Sequence, residues 1–267
     1  MGSSRVVRYL SLFLLSLRVS FAIGAQYRYD FLLDGLLSVV FTALGLVPLA
    51  VALHGRPHVA GWTFDEGLVV FGVFTVLKGV LEGAVNPSLT TVVDQIRKGT
   101  LDFVLMKPAD AQFLVSTSRF EIWKAIDLPS GLAIVAWAFA RMGRVPTPTQ
   151  ATLSLVLMTA GIVVLYTIWI LVIAAAFWVV RLDNLSYLFN SLFDFARWPV
   201  TIFPRPYRLV FTVVIPLAIM TTFPAEALIG TLDPRWASLA VGGALVFAAV
   251  GRLIWTRAIA HYTSASS

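Results

Sequence analysis

The chain contains no cysteine. Disulfides and thiolate metal sites are therefore excluded, and the redox compartment stays undetermined. Charge is scarce: Asp, Glu, Lys and Arg make up 13% of the 267 residues. No Gly-x-x-x-x-Gly-Lys-Ser/Thr loop occurs, so the backbone cradle that holds nucleotide phosphates is missing. Lys78-Gly79 and Lys98-Gly99 have the wrong order and context for one. There is no Gly-x-Ser-x-Gly elbow and no His-Glu-x-x-His helix, which removes two common hydrolase templates. His54 and His58 flank Gly55 and Pro57. Helical i, i+4 geometry is broken there and no third ligand is near, so no metal site is expected.

What is abundant is apolar. Hydrophobic residues make up 58% and mean hydropathy is +0.85. Runs of about 20 apolar residues recur, each long enough to cross a hydrocarbon core of ~30 Å. The expected fold is an all-α polytopic membrane protein with six transmembrane helices, forming a single domain over residues 1–267. Spans are expected at about 31–53, 63–85, 125–143, 151–180, 184–203 and 236–260. The fifth is ambiguous, because 209–230 is also apolar and Pro199, Pro204, Pro206, Pro216 and Pro224 interrupt the region. Broken helix within a membrane is tolerated only against protein or a wet cavity. Taking 184–203 as the span leaves 204–235 as a re-entrant or outer hairpin.

Residues 1–30 read as a retained amphipathic segment rather than a signal peptide, since Arg18 interrupts the apolar run. Leu10, Phe13, Leu14, Leu17 and Phe21 share one helical face, which suits a helix lying in the interface plane. The net charge of +6 comes from scattered basic residues, without the stripe that nucleic-acid binding needs. Most of them fall on the side shared by the termini and the 86–124 segment. The positive-inside rule makes that side, with both termini, cytoplasmic. Arg205 and Arg208 count against the chosen fifth span.

Residues 86–124 form the longest polar segment, with five basic and four acidic residues. A short helix is expected over 86–99, with Asn86 as N-cap, Pro87 at the first helical position and Gly99 at the left-handed C′ position. Residues 100–108 are expected to be extended, followed by a second helix leading into the third span. A short rigid helix between two spans can dock a partner; a solvated loop without a partner is equally compatible with the residues.

Polar residues inside spans are expensive and need partners. Lys78 and Glu82, four apart, share a face and can pair; either they serve a structural role near the cytoplasmic end or they line a substrate or proton site. Gly79 and Gly83 have the spacing of a close helix contact. Asp194 and Arg197 can pair across one turn. Phe193 and Trp198, with Tyr187, Phe189, Phe195 and Phe203, either pack the fold or stack on a flat lipophilic cation. Lys78, Glu82, Phe193, Asp194, Arg197 and Trp198 are the candidates for a translocation path.

The stretch Gly99-Thr-Leu-Asp-Phe-Val-Leu-Met-Lys-Pro108, with Gln112-Phe113 after it, resembles the cytoplasmic loop of type-2 ABC exporter permeases of the viologen-exporter class. Tyr9 and Gln26-Tyr-Arg-Tyr-Asp-Phe31 are similar to that class's amphipathic N-terminal segment. Arg197-Trp-Pro-Val-Thr-Ile-Phe-Pro204, Arg208, Ile215-Pro216 and Phe223-Pro-Ala225 match it further along. The resemblance runs from about residue 5 to 260.

The resemblance implies a permease without catalytic residues of its own. It implies a coupling helix at about Ser88 to Lys98, docking a separate ATP-binding subunit through Ser88, Thr91, Asp94, Gln95, Arg97 and Lys98. A smaller contact is implied near Arg181 and Asp183. ATP and Mg would sit on the partner, with no cofactor on this chain. A second six-span permease is implied as a further partner, in a heterodimer or a homodimer, within the cell (inner) membrane. The function expected is export of a lipophilic or amphipathic substrate by alternating access. The alternatives are an intramembrane lipid-modifying enzyme, which needs more converging acidic or His residues, and an ion-coupled carrier, which needs internal repeats.

Overall fold

The structure is a computed structural model and describes residues 2–26, 28–175 and 189–261. The described residues are helical, without strands; an isolated bridge joins Val59 and Trp62. The long helices are α1 (Gly2–Gln26), α2 (Arg28–Leu53), α3 (Phe64–Val80), α7 (Asp127–Met142), α8 (Pro148–Ala175) and α11 (Pro234–Ala260). Between α3 and α7 lie α4 (Asn86–Arg97), α5 (Asp102–Leu105) and α6 (Ala111–Ser116). Between α8 and α11 lie α9 (Arg205–Leu209) and α10 (Phe223–Ile229).

At the centre of the bundle is α3. Every residue from Gly67 to Thr75 is buried, so the helix is covered on all sides. Its start is fixed by a capping box: Thr63 Oγ1 accepts from Glu66 N–H, and Glu66 accepts from Thr63 N–H. It packs most extensively against α7, where glycines bring the backbones together. A Cβ on Gly131 would lie 2.5 Å from the Gly72 carbonyl oxygen, and one on Gly79 would lie 2.8 Å from Leu128. The expected close contact at Gly79 is therefore present, with Gly72 and Gly131 added to it. Along α8 the partners are α11 and α10.

The second span does not stop where the sequence suggests. A π turn over Leu81–Val85 carries α3 straight into α4, and Asn86 is helical at φ −61° and ψ −47°. Asn86 is thus not an N-cap. Pro87 has no N–H to give the preceding turn; the Gly83 carbonyl in that turn instead accepts the Glu121 N–H at 2.8 Å. The resulting helix, Phe64–Ile96, has 33 residues, or ~50 Å of rise. It overshoots a ~30 Å hydrocarbon core, so α4 projects beyond it. Gly99 takes the expected left-handed conformation at φ 67°, with Gly99 and Thr100 N–H groups closing onto the Ile96 and Gln95 carbonyls.

Residues 100–108 are not extended. Leu101 is buried, and α5 forms a single turn behind it. The helix expected to lead into the third span is broken: α6 ends at Ser116, and a 3-10 turn over Ile122–Ile126 precedes α7. Together α4, α5, α6 and this turn form a cap on one end of the bundle. From Arg8 to Ser20, α1 touches the cap, and Val6–Gln26 is itself long and apolar enough to cross a membrane. Arg8 donates to the Pro108 carbonyl, Tyr9 meets Asp110 and Phe113, Phe13 stacks on Phe120, and Ser20 accepts from Phe120 N–H. Leu10, Leu14 and Phe21 point outward.

The opposite end gathers the start of α3, the end of α7 and the start of α8. Arg141 pairs with Asp65 at 2.6 Å, and Trp62 donates to Thr201 Oγ1 at 2.7 Å. Ala175 follows Tyr166, which touches the cap, whereas Thr201 lies at the far end. The first part of the span expected at 184–203 lies outside the described residues. The described part of that segment is not one straight helix: residues 189–193 are helical, then 3-10 turns follow at Asp194–Arg197 and Val200–Ile202. Residues 205–229 bend by 78° at Ile215–Leu217 into a hairpin. Gly230 abuts Gln150, Ser154 donates to the Pro224 carbonyl, and Gly161 abuts Met220. Val164 and Pro216 line one crevice. From Gln150 to Val164 the hairpin thus descends ~20 Å along α8 and returns.

Candidate functional site

The cap is fastened by polar ties that leave one surface free. Ser88 has 0% of its surface exposed; its hydroxyl donates to the Arg119 carbonyl at 2.5 Å and accepts the Arg119 N–H at 3.1 Å. Ser88 is therefore a strut that locks α4 to residues 118–119, and it is not available to a partner as expected. Leu89 and Val92 bury beside it. Thr91 is half-buried and donates to the Pro87 carbonyl. Gln95 is half-buried, and Asp94 and Lys98 are exposed. Arg97 closes the helix; its side chain lies outside the described structure. Arg181 and Asp183 lie outside the described residues.

Next to α4, the turn of α5 presents Phe103 at 66% exposure and Met106 at 72%. With Gly99, Asp102 and Leu105 they line an open hollow of about 610 Å³. Two large apolar side chains this exposed on one turn are an unusual feature of a protein surface. Both lie in the motif quoted above, but their exposure could not be read from the sequence, where Leu101 and Phe103 look alike.

A second set of ties joins the cap to the bundle. Arg252 of α11 reaches both carboxylate oxygens of Asp110, at 3.2 and 2.5 Å, and donates to Gln112 Oε1 at 2.6 Å. Gln112 donates to Tyr166 Oη at 3.0 Å, and Ser116 shares a 2.7 Å hydrogen bond with the same hydroxyl. The Tyr9 hydroxyl accepts the Asp110 N–H at 3.0 Å. The Arg252 guanidinium holds the Asp110 carboxyl below its ordinary range, against its partial burial, and the Phe113 N–H adds to the effect. So α1, α8 and α11 are all tied to α6 and its N-cap, Asp110. Arg252 was missed in the sequence, although a lone charge deep in an apolar run calls for a partner.

Glu82 is the hub of a third set. Lys78 lies 3.8 Å away, as its spacing predicts, and Lys124 pairs with the other carboxylate oxygen. Lys124 also stacks on Trp123 at 4.2 Å. Glu82, Asn86, Arg119, Glu121 and Lys124 line a polar cleft of about 300 Å³. This is a charge cluster between α3 and the start of α7, next to the cap. Buried nearby, Asp127 accepts from Ser38 at 2.5 Å, a pair the sequence reading passed over.

Asp194 and Arg197 pair at 2.9 Å, as expected, and Arg197 lies 5.7 Å from the Phe74 ring centre. Phe193 is buried on Phe74 at 5.2 Å, and Phe189 meets Trp169 at 5.4 Å. Phe195 stacks on Phe211, Phe203 meets both edge-to-face, and Trp198 packs on the core. These aromatics are engaged with one another. Tyr187 lies outside the described residues.

A bundle of long apolar helices around α3, with a polar cap at one end, defines a multi-pass membrane protein. The chain belongs to the ABC-2 family of transporter proteins, whose sequence pattern it matches over residues 39–266. It is therefore the permease component of an ABC transporter, a class that pairs with an ATP-binding subunit. No curated protein and no solved structure is detectably similar to it.

Proposed function

We propose that the cap is the docking knob for the ATP-binding subunit and that the protein exports a lipophilic or amphipathic compound. The carrying observation is the continuous rise of α3 into α4, which puts Phe103 and Met106 on an exposed, braced turn. A partner's closure on this turn pushes a lever rigidly joined to the central helix. The Asp110–Arg252 and Gln112–Tyr166 ties pass the same displacement to α11 and α8. Transport is then a switch between two packings of the bundle, biased by ATP on the partner.

In this reading the cap and both termini face the cytoplasm of a bacterial cell, in its inner membrane. ATP and Mg reside on the partner subunit. A second six-span permease completes the pathway, in a heterodimer or homodimer. The hairpin over 205–229 enters the bilayer from the outer face and gates the exit.

Copurification tests the knob. Phe103→Ser with Met106→Ser is expected to abolish recovery of the ATPase subunit and its stimulation, while the permease stays monodisperse. Lys98→Glu is expected to weaken recovery. Unchanged recovery and unchanged ATP turnover in the double variant would overturn the reading.

A further inference from the structure

A crevice runs between the hairpin and α11. Trp236, Leu239 and Phe247 of α11 face Val213 and Pro216, and Val164 of α8 forms its floor. From Trp236 to Phe247 it extends ~16 Å along α11. Its volume is about 240 Å³. A water has a share of ~30 Å³, and a methylene is of similar size, so there is room for about eight such groups in line.

Water is a poor occupant. It needs two to four polar partners, and the walls are almost wholly apolar. The Thr212 hydroxyl that lines the crevice already donates to the Arg208 carbonyl at 2.7 Å. Pro216 has no N–H to offer. Emptiness is also unfavourable, because walls facing a void forfeit their dispersion contacts. The rim is open: Val213 is 68% and Leu239 63% exposed, continuous with the apolar outer face of α11 at Leu245 and Val246. In a multi-pass membrane protein that face borders hydrocarbon. Trp236, at the start of α11, lines one end of the crevice, where an amphipathic ring suits the headgroup level.

We propose that this crevice holds one acyl chain of a membrane lipid from the leaflet opposite the cap. The chain enters beside Trp236 and ends against Val164, under the bend of the hairpin. The inference needs only membrane insertion and stands apart from the docking reading.

The test uses the full-length permease with its partner subunits, in nanodiscs holding a phospholipid with a photoactivatable diazirine in mid-chain. Adducts mapped by mass spectrometry are expected to be enriched on 212–219 and 239–247 over the outward faces at Leu36 and Leu132. Two neighbouring glycines separate crevice from surface. A Cβ on Gly243 or Gly242 meets nothing within 4 Å, and Gly243 lines the crevice. Gly243→Leu adds four carbon groups to a space for about eight, so crevice adducts should fall by roughly half or more. Gly242→Leu should leave them unchanged. Leu239→Ala, which only widens the mouth, should preserve or raise them, and it decides the matter if Gly243→Leu does not assemble. Even labelling of all apolar faces would overturn the proposal. So would adducts indifferent to Gly243→Leu, labelling of the crevice by a water-soluble probe, or a protein crosslink from Leu239 in place of lipid.

Discussion

Two residues decide how the cap is held, and neither acts through its charge toward solvent. Ser88 satisfies both backbone groups of Arg119 with one hydroxyl. Ser88→Ala removes both bonds in a part-buried place, at a cost of about 1 kcal/mol. The variant is expected to melt earlier in detergent while still binding the ATPase subunit if that subunit is added in excess. Asp110 differs, because its contribution titrates. Its folded pKa lies below the ordinary 3.8 because of Arg252. A depressed carboxylate pKa gives stability that is fully present above the unfolded value and is lost as pH falls through the folded one. Asp110→Asn is therefore expected to be less stable than wild type by a constant margin from about pH 8 to pH 5. The margin should shrink only in acid below 3.8. A thermal-shift series against pH reads this directly. A margin that instead widened toward acid would reject the pairing with Arg252.

At the scale of elements, the contact of α3 with α7 rests on glycine along its length, with the Arg141–Asp65 pair at one end. A Cβ on Gly72 would lie 2.8 Å from the Gly131 carbonyl oxygen. Neither helix can move away without uncovering Leu68, Val69 and Leu77. Gly72→Leu or Gly131→Leu is expected to cost several times the 1–3 kcal/mol of ordinary overpacking, because backbone rather than a flexible side chain is struck. Gly35→Leu, with nothing within 4 Å, is the matched control. Yield of monodisperse protein after extraction measures the difference. Five of the spans were legible, those near 31–53, 63–85, 125–143, 151–180 and 236–260, because length and hydropathy set them independently of tertiary context. The one expected at 184–203 begins in residues outside the described ones, and Val6–Gln26, read as interfacial, is itself long and apolar enough to cross. The Lys78–Glu82 and Asp194–Arg197 pairs were legible from helical spacing alone. The junction at Asn86 was not. Asn-Pro is a helix start by local preference, yet Glu121 supplies the N–H to Gly83 from 38 residues downstream. Ser88, Lys124 and Arg252 escaped for the same reason: each partner lies on another element, and sequence spacing does not reach it.

For the whole molecule, the decisive quantity is which end faces which side. The absence of cysteine makes this measurable, since any single cysteine introduced is the only thiol. Met106, at the cap, and Val145, 85% exposed at the far end, are suitable sites. Met106→Cys is expected to react with an impermeant maleimide only in inside-out vesicles, and Val145→Cys only in right-side-out cells. The hairpin sharpens the test. If the traverse lies before Thr201, then Arg205 and Thr231 share a side with Val145, and Arg205→Cys and Thr231→Cys label with it. If residues 205–229 were themselves a crossing, Arg205→Cys would label with Met106→Cys and only Thr231→Cys would label from outside. The first pattern follows from two contacts, Trp62 with Thr201 at one foot of the hairpin and Gln150 with Gly230 at the other. Both feet stand on the end of the bundle where α3 begins, so a side chain at either foot must meet the same solvent.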